Sequence, residues 1–281
     1  MDGIVLIDKK ANITTTHVDY QCKKAFNTSK VGHAGTLDPF ATGLVICGIN
    51  KGTKLLTYLE SEIKSYVAIL KLGSKTDTGD LDGRVIKEKE VGFHTKESIK
   101  NVLDSLVGKQ LQTPPMYSAL KIDGKPLYEY ARQGIELQRK SREVNIYSLE
   151  LIEFRDNSLT FKAVVSKGTY IRTLGETIAE HLKEIGHLTY LRRLSIGDIS
   201  VEKSYKVEDL CPEAIIPLEE AFQGRKLVVE GDDLKKASNG AKLILDIEED
   251  LVMILKPDKT ALAIYRRDEG TNIFRCEKGF M

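Results

Sequence analysis

The chain has 281 residues, of which 41% are hydrophobic and 30% charged, and its formal net charge is +1. This length holds one large domain, or a large and a small one, and no segment approaches the ~20 consecutive apolar residues of a membrane span. The near-neutral charge gives no compositional sign of a nucleic-acid partner, so an RNA site has to come from local clusters of basic residues.

The N-terminal part begins with an acid, Asp2, and runs directly into an apolar strand. It lacks the basic n-region and the long apolar segment of a secretory signal, which predicts a cytoplasmic protein. A run of threonines can supply the N-cap of the first helix. The predicted elements are a strand at 3–8, a helix at 15–26, a Gly-rich loop at 32–43, a buried strand at 44–49, a short helix at 53–59 and a strand at 65–72.

The middle of the chain starts with the turn-forming run KTDTGDLDG at 75–83, after which Val85 begins a further strand. An amphipathic helix is predicted next, with Gly108 as its C-cap. Two strands within 142–165, joined near Asp156 and Asn157, precede a helix at 170–184 and a strand at 188–199. The apolar face of the amphipathic helix consists of Ile99, Val102, Leu103, Leu106 and Val107.

The tail begins after Gly224, beyond breaks near Pro212 and Pro217, and is predicted to hold a helix at 232–237 and strands at 243–247, 251–255 and 261–265. It is either a separate binding module or the final layer of one domain. Because regular βαβ spacing is missing, we predict an α+β fold around a mixed or antiparallel sheet. The four cysteines are far apart and show no CxxC pairing, so neither a zinc site nor a disulfide framework is predicted.

The most unusual segment is GHAGTLDPFATG at 32–43, which places Asp38 and a proline between glycines. By itself an Asp-Pro pair in this setting is a turn, and it fits a structural role for Asp38 at least as well as a catalytic one. The string resembles the catalytic signature of the TruB family of tRNA pseudouridine synthases, in which the aspartate is the nucleophile. Further segments resemble the same family in the same order, and they are GIVLIDK, SYVAILKLG, KTDTGDLDG, TPPMYSALKIDGKPLYEYARQGI, SKGTYIRTLGE and HLTYLRRLSIG.

This resemblance spans most of residues 3–197 and is closer to the bacterial tRNA enzyme than to the dyskerin-type relatives. So many collinear motifs do not arise by chance. Two departures lie away from the residues assigned to catalysis, at 10–12, where the family usually has Pro-Gly, and at Val165, where cysteine is common. The resemblance implies a pseudouridine synthase catalytic domain at 1–222, followed by a small β-rich, PUA-like RNA-binding module at 223–281.

The implied reaction isomerises uridine 55 in the T-loop of tRNA and needs no cofactor and no metal, because substrate and product are isomers. Asp38 is the nucleophile, attacking either C1′ of the ribose or C6 of the uracil ring, and the sequence leaves both routes open. A carboxylate that attacks from a dry pocket must be ionised, which requires a fixed cation beside it. The resemblance makes Arg172 that cation, although an arginine at a helix start is by itself more typical of a surface salt bridge.

Further residues are assigned around the base by the same resemblance. Tyr66 is assigned first to stacking on the uracil and second to removal of the C5 proton, since tyrosine is a weak base at neutral pH. On its own, a strand tyrosine indicates core packing. His33 is expected to contact RNA beside the flipped uridine, while Tyr170 and Leu191 line the base pocket.

Two more polar residues are expected to support the site. Asp80 is predicted to hydrogen-bond near it, and Lys9 matches the family lysine after the first strand. The acids within 77–82 also suggest a calcium loop, but Gly79 and Leu81 occupy ligand positions, so we discount a metal.

Five basic residues are predicted to contact phosphates and to hold the T stem-loop of tRNA against the cleft. Without the motifs, such clusters indicate a solvated charged face. We expect tRNA as the partner, no membrane association, no obligatory protein partner, and a monomer. The five residues are Lys121, Lys125, Arg132, Arg192 and Arg193.

Three alternatives are considered, two from other classes of function and one that changes only the RNA substrate. A non-catalytic RNA-binding or RNA-folding protein on the same scaffold would be favoured if Asp38 or Arg172 were replaced, and both are present. A small-molecule enzyme with a phosphate-cradling loop is disfavoured, because the motif lacks the Walker lysine-serine ending and the dinucleotide glycine spacing. A synthase that acts on a different RNA loop stays open.

Overall fold

The computed structural model describes residues 1–59 and 63–281. The first elements are β1 (Gly3–Lys9), α1 (Thr15–Ala25), β2 (Val31–Ala34), β3 (Thr42–Ile49), a 3-10 helix (Asn50–Lys54), α2 (Leu56–Leu59), β4 (Ile63–Leu72), β5 (Ser74–Thr76) and β6 (Val85–Glu88). The middle elements are α3 (Lys96–Ser105), β7 (Gly108–Gln112), β8 (Lys121–Ile122), β9 (Lys125–Pro126), α4 (Leu127–Arg132), β10 (Arg142–Arg155), β11 (Ser158–Ser166), α5 (Ile171–His181), β12 (Gly186–Ile196) and β13 (Ile199–Ser200). The last elements are three 3-10 helices (Val201–Lys203, Val207–Asp209 and Pro212–Ala214), α6 (Leu218–Ala221), β14 (Arg225–Val228), α7 (Gly231–Ser238), β15 (Leu243–Ile244), β16 (Leu251–Leu255), β17 (Ala261–Arg267) and β18 (Ile273–Gly279).

The main sheet is mixed, and its central strands follow the order β1-β3-β12-β4-β11-β10-β7, with β2 paired to β3 and β13 to β12. Neighbours run antiparallel except β3 and β12, whose parallel pairing sets Gly43 against Arg193. Gly43 has φ +104°, and a Cβ there would lie 2.2 Å from the Arg193 carbonyl oxygen. Glycine is therefore required where the chain leaves the Asp38 loop and enters the sheet.

Alternation of apolar residues explains how the main sheet buries one face. Along β4, Tyr66, Ala68 and Leu70 are buried and alternate with half-exposed residues, as expected for a strand with one covered face. Helices α1, α3 and α5 contribute buried residues to the same core. At the β10–β11 turn, Asp156 and Asn157 have φ of 51° and 57°, the left-handed conformation of a tight hairpin turn.

A second sheet in the C-terminal part has the order β14-β16-β17-β18-β15. One set of its side chains forms a separate small core, which includes Val252, Tyr265 and Phe274. Another set, including Met253 and Ile264, joins a larger cluster with residues of the main sheet. The C-terminal sheet is therefore packed on the main sheet through shared apolar contacts.

The predicted α+β fold with a mixed sheet and a β-rich tail is confirmed. Some local predictions are wrong. Val31–Ala34 pairs with β3, so the Gly-rich segment is a loop only at 35–41. Helix α3 ends at Ser105, and Gly108 starts β7 with φ +112° instead of capping the helix.

Two tail strands were missed, and one predicted strand is divided. Strand β14 is mostly exposed, and β18 carries charged residues along its length. Neither sequence therefore shows a clear alternation of apolar and polar residues. The predicted strand at 188–199 ends at Ile196, where a turn separates it from β13. No helix within residues 1–59 and 63–281 is long and apolar enough to cross a membrane.

Candidate active site

The loop at 35–41 opens into a cavity of about 700 Å³. The start of α1, the turn between β5 and β6, residues of the segment 117–132, and Arg172 complete its walls. Asp38 lies in the loop before β3, and Arg172 lies at the start of α5, the helix before β12. Strands β3 and β12 are neighbours in the main sheet. The cavity thus joins residues distant in sequence around one carboxylate.

Asp38 and Arg172 form a two-pronged ion pair. Arg172 Nε donates to Asp38 Oδ2 at 2.8 Å, and Nη2 donates to Asp38 Oδ1 at 2.9 Å. The guanidinium also donates to the backbone carbonyls of Thr78 at 2.8 Å and Tyr117 at 2.7 Å. The Arg172 side chain is 3% exposed and that of Asp38 is 31% exposed. A buried, fully engaged cation therefore orients a carboxylate that remains accessible from the cavity.

Asp80 places a second carboxylate beside Arg172. Its Oδ2 lies 3.5 Å from Arg172 Nε, and its Oδ1 accepts from the Thr78 hydroxyl at 2.6 Å and the Asp82 amide at 3.1 Å. Burial raises the pKa of Asp80, and the hydrogen bond from Thr78 and the charge of Arg172 oppose that rise. Asp80 therefore shapes the turn that supplies the Thr78 carbonyl to Arg172. Among residues 1–59 and 63–281, no group of three or more His, Cys, Asp or Glu is arranged to hold a metal ion.

The loop at 35–41 is braced from three sides. Lys9 is fully buried, and its Nζ donates to the carbonyls of Lys10, Ile13 and Pro39. Thr15 Oγ1 exchanges hydrogen bonds with the backbone of Leu37, at 3.2 and 3.0 Å. Burial lowers the pKa of Lys9 to about 8, while the negative charge of Asp38 opposes this shift. Lys9 therefore lies behind the loop and away from solvent, where it supports the loop and does not reach the cavity.

Arg193 provides the third brace and does not face the cavity. It is 1% exposed, and its guanidinium donates to the carbonyls of Leu44 at 2.8 Å and Gly35 at 2.7 Å. The expected phosphate contact is incompatible with this burial, so we withdraw Arg193 from the phosphate set. The doublet in the sequence hid this difference, because adjacent strand residues point to opposite faces of a sheet.

Two of the other predicted phosphate contacts contribute to the cavity wall. Lys121 and Arg132 line it. Lys125 lies over the Tyr130 ring at 4.7 Å, and Arg132 lies over the Tyr128 ring at 5.4 Å. These cation–π contacts orient long basic side chains on the segment 117–132, which contributes to the cavity wall.

Arg192 is held by an acid of β1. Its Nη1 and Nη2 donate to the two carboxylate oxygens of Asp8 at 2.9 and 2.7 Å. Its side chain is 29% exposed, so part of the guanidinium surface reaches solvent. Hydrogen bonding to Asp8 raises the pKa of Arg192, and the residue stays cationic.

Tyr66, Leu191 and Tyr170 are not among the described residues that line the cavity. Tyr66 and Leu191 are 6% and 4% exposed and belong to the main core together with Leu37 of the loop. The backbone of Tyr170 exchanges hydrogen bonds with the Gln112 side chain, at 2.7 and 3.0 Å, just before α5 begins. Tyr66 and Leu191 therefore share the core with the loop, and Tyr170 lies immediately before α5.

His33 lies on β2 and lines the cavity. Its Nδ1 is 2.7 Å from Asp19 Oδ2 and its Nε2 is 3.3 Å from Thr36 Oγ1. Sequence reasoning missed Asp19, whose partner is 14 residues away along the chain. It also missed Thr15, although the spacing of Thr15 and Val18 on the buried face of α1 was a usable signal.

Comparison with known proteins gives consistent matches over this whole arrangement. Residues 23–171 match the model described as TruB family pseudouridylate synthase (N terminal domain). The chain is 39% identical over 279 residues to tRNA pseudouridine synthase B of Mesoplasma florum, covering 99% of this chain and 97% of that protein. It is 40% identical over 257 residues to tRNA pseudouridine synthase B of Hydrogenovibrio crunogenus, covering 90% of this chain and 85% of that protein.

Among solved structures, the fold is shared with a chain of a Cbf5-Nop10-Gar1 complex. The TM-score is 0.74 at 24% sequence identity, with 99% of this chain and 85% of that chain covered. The likeness at this identity concerns the fold, whereas the family model and the relatives above match the sequence itself. On that sequence evidence, the chain belongs to the TruB family of pseudouridylate synthases.

Proposed function

We propose that this chain isomerises uridine 55 in the T-loop of tRNA to pseudouridine, with Asp38 as the nucleophile. The observation that carries the proposal is the accessible Asp38 carboxylate held by the buried Arg172 at the edge of a cavity. Family membership supports the reaction, and the relatives named tRNA pseudouridine synthase B support tRNA as the substrate.

The chemistry asks for one nucleophile and a means of moving one proton. The N1–C1′ bond breaks, the C1′–C5 bond forms, C5 loses its proton and N1 gains one, so the product is an isomer of the substrate. When Asp38 attacks C1′, uracil leaves with the N1–C1′ electron pair, and the carboxylate departs as C5 bonds to C1′; when Asp38 adds to C6, it departs after the C1′–C5 bond has formed. Arg172 compensates the charge of the carboxylate and fixes its direction. This reduces the orientational entropy that the carboxylate would lose in reaching a reactive geometry.

We propose that Tyr66, Leu191 and Tyr170 surround the uracil after it has left the RNA stack. Tyr66 stacks on the base and is the candidate to take the C5 proton. The cross-strand pairing of β4 and β12 brings Tyr66 and Leu191 into one apolar region with Leu37. None of the three is among the described residues that line the open cavity, so the proposed base pocket extends beyond that lining.

The RNA backbone is proposed to lie against His33 and the segment 117–132. Extrusion of the uridine costs roughly a few kcal/mol, and contacts to phosphates offset part of that cost. Lys121, Lys125, Arg132 and Arg192 are the proposed phosphate contacts, with Asp80 and Lys9 holding the site behind them. The positions of Lys121 and Arg132 in the cavity lining, and the aromatic partners of Lys125 and Arg132, support this assignment.

We also propose a division into a catalytic domain at 1–222 and a PUA-like RNA-binding module at 223–281. The separate C-terminal sheet and its own small core support this division. The proposed partner is tRNA alone, bound by a monomer. The chain with the shared fold was solved in a complex with Nop10 and Gar1. Activity of the present chain without any added protein would distinguish it from an enzyme that depends on a partner.

Tritium release tests the activity, because formation of the C1′–C5 bond displaces the hydrogen at C5. The purified chain is added, without cofactor or metal, to a tRNA transcript labelled with [5-³H]uridine. We expect release approaching one equivalent per tRNA, no release with Asp38→Asn, and no release from a transcript with cytidine at position 55. Asp104→Asn, which alters an exposed ion pair on α3, is the matched control and should retain activity.

The alternatives predict other outcomes of the same assay. Tight tRNA binding without release by the unmodified chain would leave a non-catalytic RNA-binding protein. Undiminished release from the cytidine-55 transcript would identify a synthase that acts on a different RNA loop. Release by Asp38→Asn equal to that of the unmodified chain would remove Asp38 as the nucleophile.

A further inference from the structure

The His33 ring is held on two sides, by Asp19 behind it and Thr36 in front. Its Nδ1 lies 2.7 Å from Asp19 Oδ2, and its Nε2 lies 3.3 Å from the Thr36 hydroxyl. His33 and Thr36 line the cavity, whereas Asp19 is not among its described lining residues. The imidazole therefore separates Asp19 from the space that RNA is proposed to enter.

The carboxylate of Asp19 determines which ring nitrogen of His33 carries a proton. An ionised carboxylate only accepts hydrogen bonds, so Nδ1 must donate and is protonated in both charge states of the ring. Nε2 is then the nitrogen beside Thr36 and the cavity. It accepts in the neutral ring and donates in the cationic ring, which suits contact with a ribose hydroxyl or a phosphate oxygen.

Asp19 is itself fixed by its place on α1. Its side chain is 14% exposed, and Oδ1 lies 3.8 Å from the Sγ of the buried Cys47 on β3. The same helix carries Thr15, whose hydroxyl braces Leu37 next to the nucleophile. One helix therefore supports both the proposed RNA contact and the catalytic loop.

We propose that Asp19 is a positioning residue, which orients the His33 ring and fixes its tautomer for contact with RNA beside the extruded uridine. The proposal rests on the proposed function. Position 19 lies outside the motifs that carry the resemblance and outside residues 23–171, which match the family model. The inference therefore depends on the contacts of Asp19 alone.

Kinetics separate positioning from chemistry. Asp19→Ala should raise KM for a tRNA transcript about tenfold, the scale of one hydrogen bond to a charged group. It should change kcat little, because the Asp38–Arg172 pair is untouched. In a His33→Ala background, Asp19→Ala should have no further effect. His17→Ala, which removes an exposed imidazole from the same helix, is the matched control.

Nuclear magnetic resonance gives a readout that needs no RNA. Long-range ¹H–¹⁵N spectra of histidine-labelled protein report the protonation of each ring nitrogen, and His33→Ala assigns the His33 signals among the five histidines. We expect Nδ1 of His33 to be protonated in the unmodified chain. Asp19→Ala should shift the neutral ring towards the Nε2-protonated form, and Asp19→Asn, which retains the shape, tests folding.

Three results would overturn the proposal. The first is an unchanged His33 signature in Asp19→Ala, and the second is an equal loss of RNA affinity in the presence and absence of the His33 ring. A loss of kcat together with thermal stability would mark the pair as merely structural, which also contradicts it. If the unmodified chain forms no pseudouridine while the signature responds as expected, the proposed function fails and the Asp19–His33 geometry stands.

Discussion

At the scale of single residues, the site depends on a cation whose donors are already engaged. Arg172 joins Asp38 to the carbonyls of Thr78 and Tyr117, an arrangement that needs the planar guanidinium. A lysine retains the charge but cannot donate along two parallel directions. The shape of the cation therefore matters as much as its charge.

Arg172→Lys is expected to reduce the single-turnover rate of pseudouridine formation by about 100-fold, the scale seen when one oriented charge-stabilising donor is lost. Tritium release measures the rate, and circular dichroism checks the fold. Arg155→Lys, at a largely exposed position, is the control and should be unchanged. A rate for Arg172→Lys close to that of the unmodified chain would show that charge alone suffices.

Glu184 gives a prediction about pH. Burial opposes its ionisation, but Lys89, the Gly92 amide and His94 contact its carboxylate and lower its pKa from 4.5 to about 2. A pKa lowered by folding stabilises the folded state above the unfolded value. This contribution is therefore present above about pH 4.5 and disappears as the pH falls towards 2.

Glu184→Gln should accordingly lower the free energy of unfolding most near neutral pH. The difference from the unmodified chain should shrink as the pH falls below 4.5. Urea unfolding at several pH values measures this, with the exposed Glu180→Gln on α5 as control. A difference that stays constant down to acid pH would contradict the assignment.

The sequence pointed to Asp38, Arg172 and His33 through its resemblance to a family, and all three line the cavity. It was insufficient for Asp19, because a helix and a strand must pack before that contact exists. Arg193 shows the opposite limit: its local pattern suggested a surface cation, and only the sheet register reveals its burial.

At the scale of elements, the parallel contact of β3 with β12 fixes where the catalytic loop ends. Gly43→Ala would set a Cβ 2.2 Å from the Arg193 carbonyl oxygen in addition to straining a backbone of φ +104°. Gly134 also has a positive φ, +72°, but a Cβ there meets nothing within 4 Å. A comparison of alanine substitutions at the two glycines therefore separates the cost of backbone strain from the cost of steric overlap.

We expect Gly43→Ala to lower the free energy of unfolding by about 2 kcal/mol more than Gly134→Ala, the scale of a steric overlap in a packed interior. Urea unfolding of both variants provides the comparison. Equal losses would mean that the strands separate freely and that only backbone strain matters.

Most elements were predictable because apolar residues alternate along the strand, as in β4, or recur at helical spacing, as in α3. Prediction failed where pairing, and not local pattern, creates the element. β2 contains His33 between a glycine and an alanine and becomes a strand only through β3. The end of α3 was misplaced because Gly108 serves the β7–β10 pairing.

At the scale of the whole molecule, the proposed PUA-like module shares a core with the catalytic domain. Met253 and Ile264 belong to one cluster with Ile4 and Leu44 of the main sheet. Apolar contact of this kind resists independent motion of the two parts. The sequence suggested the tail but not this coupling, since the residues involved are far apart along the chain.

The full chain is therefore expected to unfold in one cooperative thermal transition. Calorimetry should give equal calorimetric and van't Hoff enthalpies. Ile264→Asp, placed in the shared core, should lower the midpoint of the whole transition, whereas Ile244→Asp, at a position 79% exposed, should not. Two resolved transitions would indicate independent units.

A catalytic loop fixed by Lys9, Thr15 and Arg193 before RNA arrives leaves the deformation to the nucleic acid. The disorder that such a loop would otherwise lose on binding is lost during folding instead. We expect the enzyme to favour RNA loops whose uridine is already poorly stacked, because extrusion is then least costly. The stacking stability of the target uridine would thus contribute to substrate selection together with the RNA sequence.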